Sequence, residues 1–218
     1  MLLNILVLEI IPFDDKRENI LLKARKEGTL VVDASGSIGQ YYSSKCNPTY
    51  PNMTIRDKDD GFDWCSSVAK DNNHKPWLGF SVKNNKISVT GYSVRAGCCY
   101  YGCCCLDDNT FVRGCCCELY SWSLRGSNDN ITWVTIHKVE KDSKMRYCTN
   151  RSYDFKPSKF FKYVRLFQDE VPSYCDFCMV VNRFELYGKT ETGNAVIFDD
   201  ETELESDEEI SIIGKVKN

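Results

Sequence analysis

Thirteen cysteines carry most of the chemical range of this chain, because thiolates bind zinc, attack electrophiles or oxidise to disulfides. Eight of them crowd one stretch: Cys98, Cys99 and the triplets Cys103–Cys105 and Cys115–Cys117. Cys175 and Cys178 have the spacing of a zinc knuckle, with Cys148 as a third sulfur, but no second Cys-x-x-Cys completes the set. Consecutive side chains on an extended segment point to opposite faces, so adjacent cysteines neither close a metal cage nor bond to one another. The odd total also counts against a fully paired extracellular framework. Mostly reduced thiols, no bound metal and a cytoplasmic setting are therefore expected. A zinc site on Cys148, Cys175 and Cys178 is one alternative, and disulfides are the other.

Acid–base chemistry has little to draw on. His74 and His137 are the two histidines of the chain, and only histidine titrates near neutrality without help. No Ser sits in a Gly-x-Ser-x-Gly elbow and no His-Glu-x-x-His occurs. Asp59 with Asp60, and Asp107 with Asp108, are sequence neighbours and cannot flank one bond as hydrolytic carboxylate pairs do. The pattern predicts a protein that is not an enzyme and needs no cofactor.

Binding is the better-supplied chemistry. Tyr41, Tyr42, Asn73 and His74 fall in polar, turn-rich segments, where ring faces fit sugar C–H surfaces and Asn and His exchange directional hydrogen bonds. Trp77, Trp122 and Trp133 lie inside regular strand patterns and read as core residues first. Arg95 and Arg165, also in strand patterns beside aromatics, read as internal ion-pair partners before ligand contacts.

The elements that must position these residues show a period of two. PWLGFSV (76–82), ISVTGYSVRAG (87–97), ELYSWSLRGSNDNITWVTI (118–136), FKYVRLFQDE (161–170) and VVNRFELYG (180–188) alternate apolar and polar residues, closed by Gly, Asn or Asp. Half-buried strands of an antiparallel sandwich have this signature. Gly91 marks an expected bulge. Residues 14–27 read as a short amphipathic helix burying Ile20, Leu21 and Ala24, stopped by Gly28. From 40 to 63 the chain reads as a long structured loop.

Three segments follow: a helical extension over 1–27, a β-sandwich over 28–188 and a tail over 189–218. The tail holds nine acidic and three basic residues, hence −6, leaving +3 on the body out of a total of −3. Such a tail is expected to be flexible. A body without a broad basic surface is not expected to bind nucleic acid. The apolar start LLNILVLEII (2–11) lacks a preceding basic residue and is broken by Glu9, so it reads as an edge element rather than an export signal. No run of about 18 apolar residues predicts a transmembrane segment. Sequons at Asn52, Asn130 and Asn150 signify glycosylation only in an exported chain.

The order and spacing of PWLGFSV with GYSVRAG, then SWSLRGSNDNITW, KYVRLFQ and NRFELYG resemble the discoidin-type domain, or coagulation factor 5/8 type C family, in its divergent forms from parasitic protists such as trichomonads. That resemblance spans about 28–188 and implies an all-β, galactose-binding-like jelly-roll sandwich whose ligand specificity resides in loops at one end. Family members bind sugars, phospholipid membranes or proteins, so fold alone does not select the ligand. Secreted members tie the domain ends with a disulfide, and Val31–Ala34 offers no cysteine for it. The first expectation is noncatalytic recognition of a protein partner through end loops. The alternative is a carbohydrate-binding module of an exported or surface protein.

Overall fold

The computed structural model describes residues 18–42, 45–58, 61–69, 71–98, 104–105, 117–173 and 175–192. Among these described residues one α-helix, α1 (Ile20–Lys26), precedes twelve strands. These are β1 (Leu30–Ala34), β2 (Ser37–Ile38), β3 (Gln40–Tyr42), β4 (Lys45–Asn47), β5 (Trp64–Ser66), β6 (Trp77–Val82) and β7 (Asn85–Ala96), followed by β8 (Ser121–Ser127), β9 (Val134–Val139), β10 (Asn150–Asp154), β11 (Tyr163–Glu170) and β12 (Val180–Thr192). Two five-stranded antiparallel sheets face one another, ordered β1-β6-β11-β8-β9 and β10-β7-β12-β5-β2, with β3 and β4 as a separate hairpin. This is the expected all-β jelly-roll sandwich.

Alternation in the sequence becomes a shared interior. Leu78, Phe80, Val164, Leu166, Trp122 and Leu124 of one sheet meet Val89, Tyr92, Val94, Phe184, Leu186 and Trp64 of the other, all buried in one cluster. Phe80 stacks on Phe184 across the layers, ring centroids 5.0 Å apart. Burying an aromatic of this size contributes roughly 2–3 kcal/mol. Trp122 donates its indole N–H to the Tyr92 hydroxyl at 2.9 Å, which removes the cost of enclosing both polar atoms.

The bulge expected at Gly91 is present. The β12–β7 register slips between Tyr187, opposite Gly91, and Gly188, opposite Val89. Gly188 has φ +148°, and a Cβ there would meet the Ser88 carbonyl oxygen, so only glycine fits. Strand β12 runs on to Thr192, four residues beyond Gly188.

Helix α1 lies within the expected 14–27 stretch and buries Ile20, Leu21 and Ala24. Gly28 at φ +70° ends it, with Thr29 N–H bonding the Ala24 carbonyl at 2.9 Å. Its first turn is capped from outside: Leu21 and Leu22 N–H donate to the two carboxylate oxygens of Glu185 on β12, at 2.7 and 3.1 Å. The apolar start at 2–11 and the acidic run at 199–209 lie outside the described residues.

The structure departs from the sequence expectation in three places. Residues 40–63 contain the β3–β4 hairpin and a short 3-10 turn at Pro51–Thr54 as well as loop, and β10 was not foreseen. Strand β10 alternates only exposed and half-buried positions, which leaves no apolar period to detect. Trp122 is a core residue as expected, whereas Trp77 and Trp133 are half-buried and flank Arg165 on the outer face of their sheet.

Candidate functional site

Strand directions gather most long connections at one end of the sandwich. The residues after Ser66, Ala96, Val139 and Glu170 all leave their strands there, and they carry most of the cysteines. Cys98 bonds Cys148, and Cys117 bonds Cys178. Cys65 bonds Cys104, with Cα atoms 5.9 Å apart, and Cys46 bonds Cys105, with Cα atoms 6.1 Å apart. Cys175 is also disulfide-bonded.

Every described cysteine is therefore oxidised, which overturns the expectation of reduced thiols. The divergence of adjacent side chains was correctly anticipated, but its consequence was not. Cys104 and Cys105 point apart and so reach two different partners, on β5 and on β4. The alternative zinc set is dissolved by the same bonds, because Cys148, Cys175 and Cys178 have no thiolate to offer. No cluster of metal-holding side chains occurs among the described residues. Native disulfides of this density form in oxidising compartments, so the cytoplasmic assignment is withdrawn. The missing cysteine at Val31–Ala34 was a poor guide, since the bonds staple loops rather than the domain ends.

Between three of the stapled loops lies a cleft of about 420 Å³ lined by Glu118, Tyr120, Ser143, Lys144, Arg146 and Pro172. Its walls are fixed by covalent and polar contacts. The Cys117–Cys178 bond holds the Glu118–Tyr120 segment to the start of β12. Buried Gln168 donates from its amide nitrogen to the Glu118 and Cys178 carbonyls, both at 2.9 Å. Asp142 N–H bonds the Tyr120 carbonyl at 2.8 Å, Lys141 N–H bonds Ser121 Oγ at 3.0 Å, and Met145 is buried beneath the loop.

The 140–149 wall is unusual in its backbone. Lys141, Tyr147 and Cys148 all have positive φ, at 53°, 52° and 58°. Such conformations cost of order 1 kcal/mol each or more for residues with a Cβ and persist only where the surroundings impose them. Here the Cys98–Cys148 bond and the Arg151–Asp142 ion pair at 3.2 Å impose them. The result presents Ser143, Lys144 and Arg146 to the cleft as donors and Glu118 as an acceptor. Burial pushes the Glu118 carboxyl upward, opposed by the positive charge of Arg146. Tyr120 adds a ring to the wall. Pro172 adds further apolar surface beside these polar groups.

A second buried network ties the cysteine-rich excursion to the sheets. Asp63 accepts Cys98 N–H at 2.9 Å and the Asn182 amide at 2.9 Å. Arg95 donates to Asn182 Oδ1 and to the Cys148 carbonyl, both at 3.2 Å. Arg95 thus serves the frame of this end. Arg165 has no acidic partner among the described residues and instead stacks on Trp133, its guanidinium carbon 3.8 Å from the ring centroid, so the ion pair expected of it is absent.

The four residues singled out from sequence sit on two elements. Tyr41 and Tyr42 belong to β3, and Tyr41 is exposed. Asn73 and His74 occupy the exposed turn that leads into β6, where His74 Nδ1 lies 2.9 Å from Asp71 Oδ1 and Asn73 N–H donates to the same oxygen at 2.7 Å. None of the four lines the cleft. Nothing in periodicity marks the six lining residues. The available signal was their position beside Cys117, Cys148 and Cys178. His137 is committed to Tyr92, with Nδ1 3.1 Å from the hydroxyl, and it stacks on Phe155. The described residues thus assemble no catalytic set.

A module from Clostridium perfringens, CpGH89CBM32-5, solved in complex with GalNAc-β-1,3-galactose, superposes with a TM-score of 0.51 at 7% identity, covering 78% of this chain and 100% of that one. The two chains share a fold. An F5/8 type C domain from Bacteroides fragilis agrees, with a TM-score of 0.50 at 15% identity over 75% of this chain and 93% of its own. No protein-family model matches the sequence, and no curated protein does. The anticipated jelly-roll architecture is therefore present as a fold. No helix among the described residues is long and apolar enough to cross a membrane.

Proposed function

We propose that this chain is a noncatalytic carbohydrate-recognition module of an exported or surface protein, with the saccharide held in the cleft of Glu118, Tyr120, Ser143, Lys144, Arg146 and Pro172. The observation that carries the reading is the position of this disulfide-braced cleft, with its mixed polar and apolar lining, at the loop end, on a fold shared with a module solved with a disaccharide. Arg146 and Lys144 donate to sugar hydroxyls, Glu118 accepts from them, and the Tyr120 ring covers an apolar sugar face. Two cations against one carboxylate leave the site suited to neutral or acidic saccharides. Tyr41, Tyr42, Asn73 and His74 are proposed as outlying contacts for a longer glycan. No specific observation favours the protein partner expected from sequence over this reading.

A glycan array followed by titration calorimetry tests it. Saccharide binding that is lost in Tyr120→Ala and Arg146→Ala, with unchanged melting temperature, supports both function and site. No binding to any saccharide at millimolar concentrations would reject the function. Binding retained in both variants but lost in His74→Ala would move the site to the turn before β6.

A further inference from the structure

We propose that Asn52, Asn130 and Asn150 are N-glycosylation sites, arranged so that two of the glycans stand at the end opposite the cleft. The sequence supplies the acceptor triads Asn52-Met53-Thr54, Asn130-Ile131-Thr132 and Asn150-Arg151-Ser152. A triad by itself is weak, because an Asn-rich chain produces them by chance. Two structural observations give it weight.

The disulfides place the chain in an oxidising compartment, which in a eukaryotic secretory route is where glycan transfer occurs. The second observation is the state of each side chain. All three asparagines are exposed, and none of the three carboxamides hydrogen-bonds a described residue. By contrast, Asn47, Asn128 and Asn182, which lie in no triad, use their amide nitrogens on Lys45, Phe160 and Asp63. A glycan on any of the three triad asparagines displaces no internal contact.

Their positions follow from the strand directions. Asn130 lies in the β8–β9 turn, where Asp129 accepts the N–H groups of Ile131 and Thr132 at 2.8 and 2.7 Å and leaves Ile131 83% exposed. Asn52 sits in the 3-10 turn beside Leu30 and Lys83, at that same end. Asn150 opens β10, which pairs with β7 and, among the described residues, forms the edge of its sheet. A glycan there shields that edge from pairing with another chain. The cleft mouth is clear of the glycans on Asn52 and Asn130.

In the transfer, the asparagine Nδ2 bonds the anomeric carbon of a lipid-pyrophosphate-linked oligosaccharide. The anomeric C–O bond breaks, its electron pair leaves on the lipid pyrophosphate, and one amide proton is released. No oxidant or reductant is required.

The full chain should be expressed through the secretory pathway of a eukaryotic cell and mapped by peptide mass spectrometry before and after peptide-N-glycosidase treatment. Asn52, Asn130 and Asn150 are expected to carry glycan and to become aspartate on release. Asn73 and Asn84, equally exposed but outside any triad, should remain asparagine. Asn52→Gln, Asn130→Gln and Asn150→Gln should each remove one glycan and leave the melting temperature of the enzymatically deglycosylated protein unchanged. An unmodified asparagine in folded, secreted protein overturns the assignment of that site, and three overturn the proposal. The readout is mass rather than binding, so failure here leaves the saccharide-recognition reading standing.

Discussion

Arg165 and Arg125 stand directly opposite one another across the β11–β8 ladder. Like charges so placed destabilise a sheet, and two different devices offset the repulsion. Asp169 holds Arg125 by an ion pair of 2.5 Å. Arg165 lies over Trp133 at 3.8 Å and nears Phe167 at 5.1 Å, while Arg125 covers the Phe167 ring at 3.8 Å. Burial, with Arg125 adding to it, pulls the Arg165 pKa down to about 10, still far above neutrality.

Asp169→Asn should expose this repulsion. Removing one partner of a partly buried, charge-assisted bond costs about 1–3 kcal/mol, and the fall should appear in the urea midpoint. Added salt should recover part of it by screening the two guanidinium groups. A midpoint equal to that of the parent protein would show that the aromatic stacking alone neutralises the pair.

Glu185 predicts a dependence of stability on pH. Burial raises its carboxyl from 4.5 to about 7, although the Leu21, Leu22 and Leu186 N–H groups and Arg183 favour the ionised form. The folded pKa lies above the unfolded one, so the folded state holds the proton more tightly. This contribution to stability is fully present below about 4.5, declines as pH rises towards 7 and is constant above it. The span is on the order of 3 kcal/mol. Comparing the parent with Glu185→Gln across this range isolates the effect, and parallel curves would refute it.

The disulfides predict both a map and a loss. Peptide mapping without reduction should join Cys104 to Cys65 and Cys105 to Cys46, though the first members of the two pairs are adjacent. The described bonds span 59, 39, 50 and 61 residues, and closing loops of this size restrains the unfolded chain by ~4 kcal/mol each. Cys117→Ala with Cys178→Ala should lower the melting temperature and weaken saccharide binding, because it frees one wall of the cleft. Since thirteen is odd, a denatured monomer with no other modification should also show at least one free thiol.

Gly188→Ala tests the β12 bulge. At φ +148° a side chain is strained, and its Cβ would fall 2.1 Å from the Ser88 carbonyl oxygen. A loss of about 1–3 kcal/mol or more is expected, seen as a lower denaturant midpoint with the fold retained by circular dichroism. An unaffected midpoint would mean that the β7–β12 ladder can shift register there without cost.

How far the sequence could be read depended on the range of the interactions involved. Alternation over PWLGFSV, ISVTGYSVRAG, FKYVRLFQDE and VVNRFELYG located β6, β7, β11 and β12, because a strand with one buried face repeats every two residues and that rule is local. The helix stop at Gly28 and the slip at Gly91 were legible for the same reason, each following from the conformation that one residue permits. Strand β10 was not, since an edge with no fully buried face carries no such repeat.

The sequence by itself therefore determined the sandwich, its bulge and the lack of catalytic motifs. Only the tertiary structure decided what the cysteines do. Consecutive spacing shows that Cys104 and Cys105 diverge, but the partners they meet depend on where β4 and β5 lie after the sheets close. The cleft is decided at the same level. Glu118, Tyr120, Arg146 and Pro172 are brought together from three connections by strands running in opposed directions, and local pattern contains no record of that meeting.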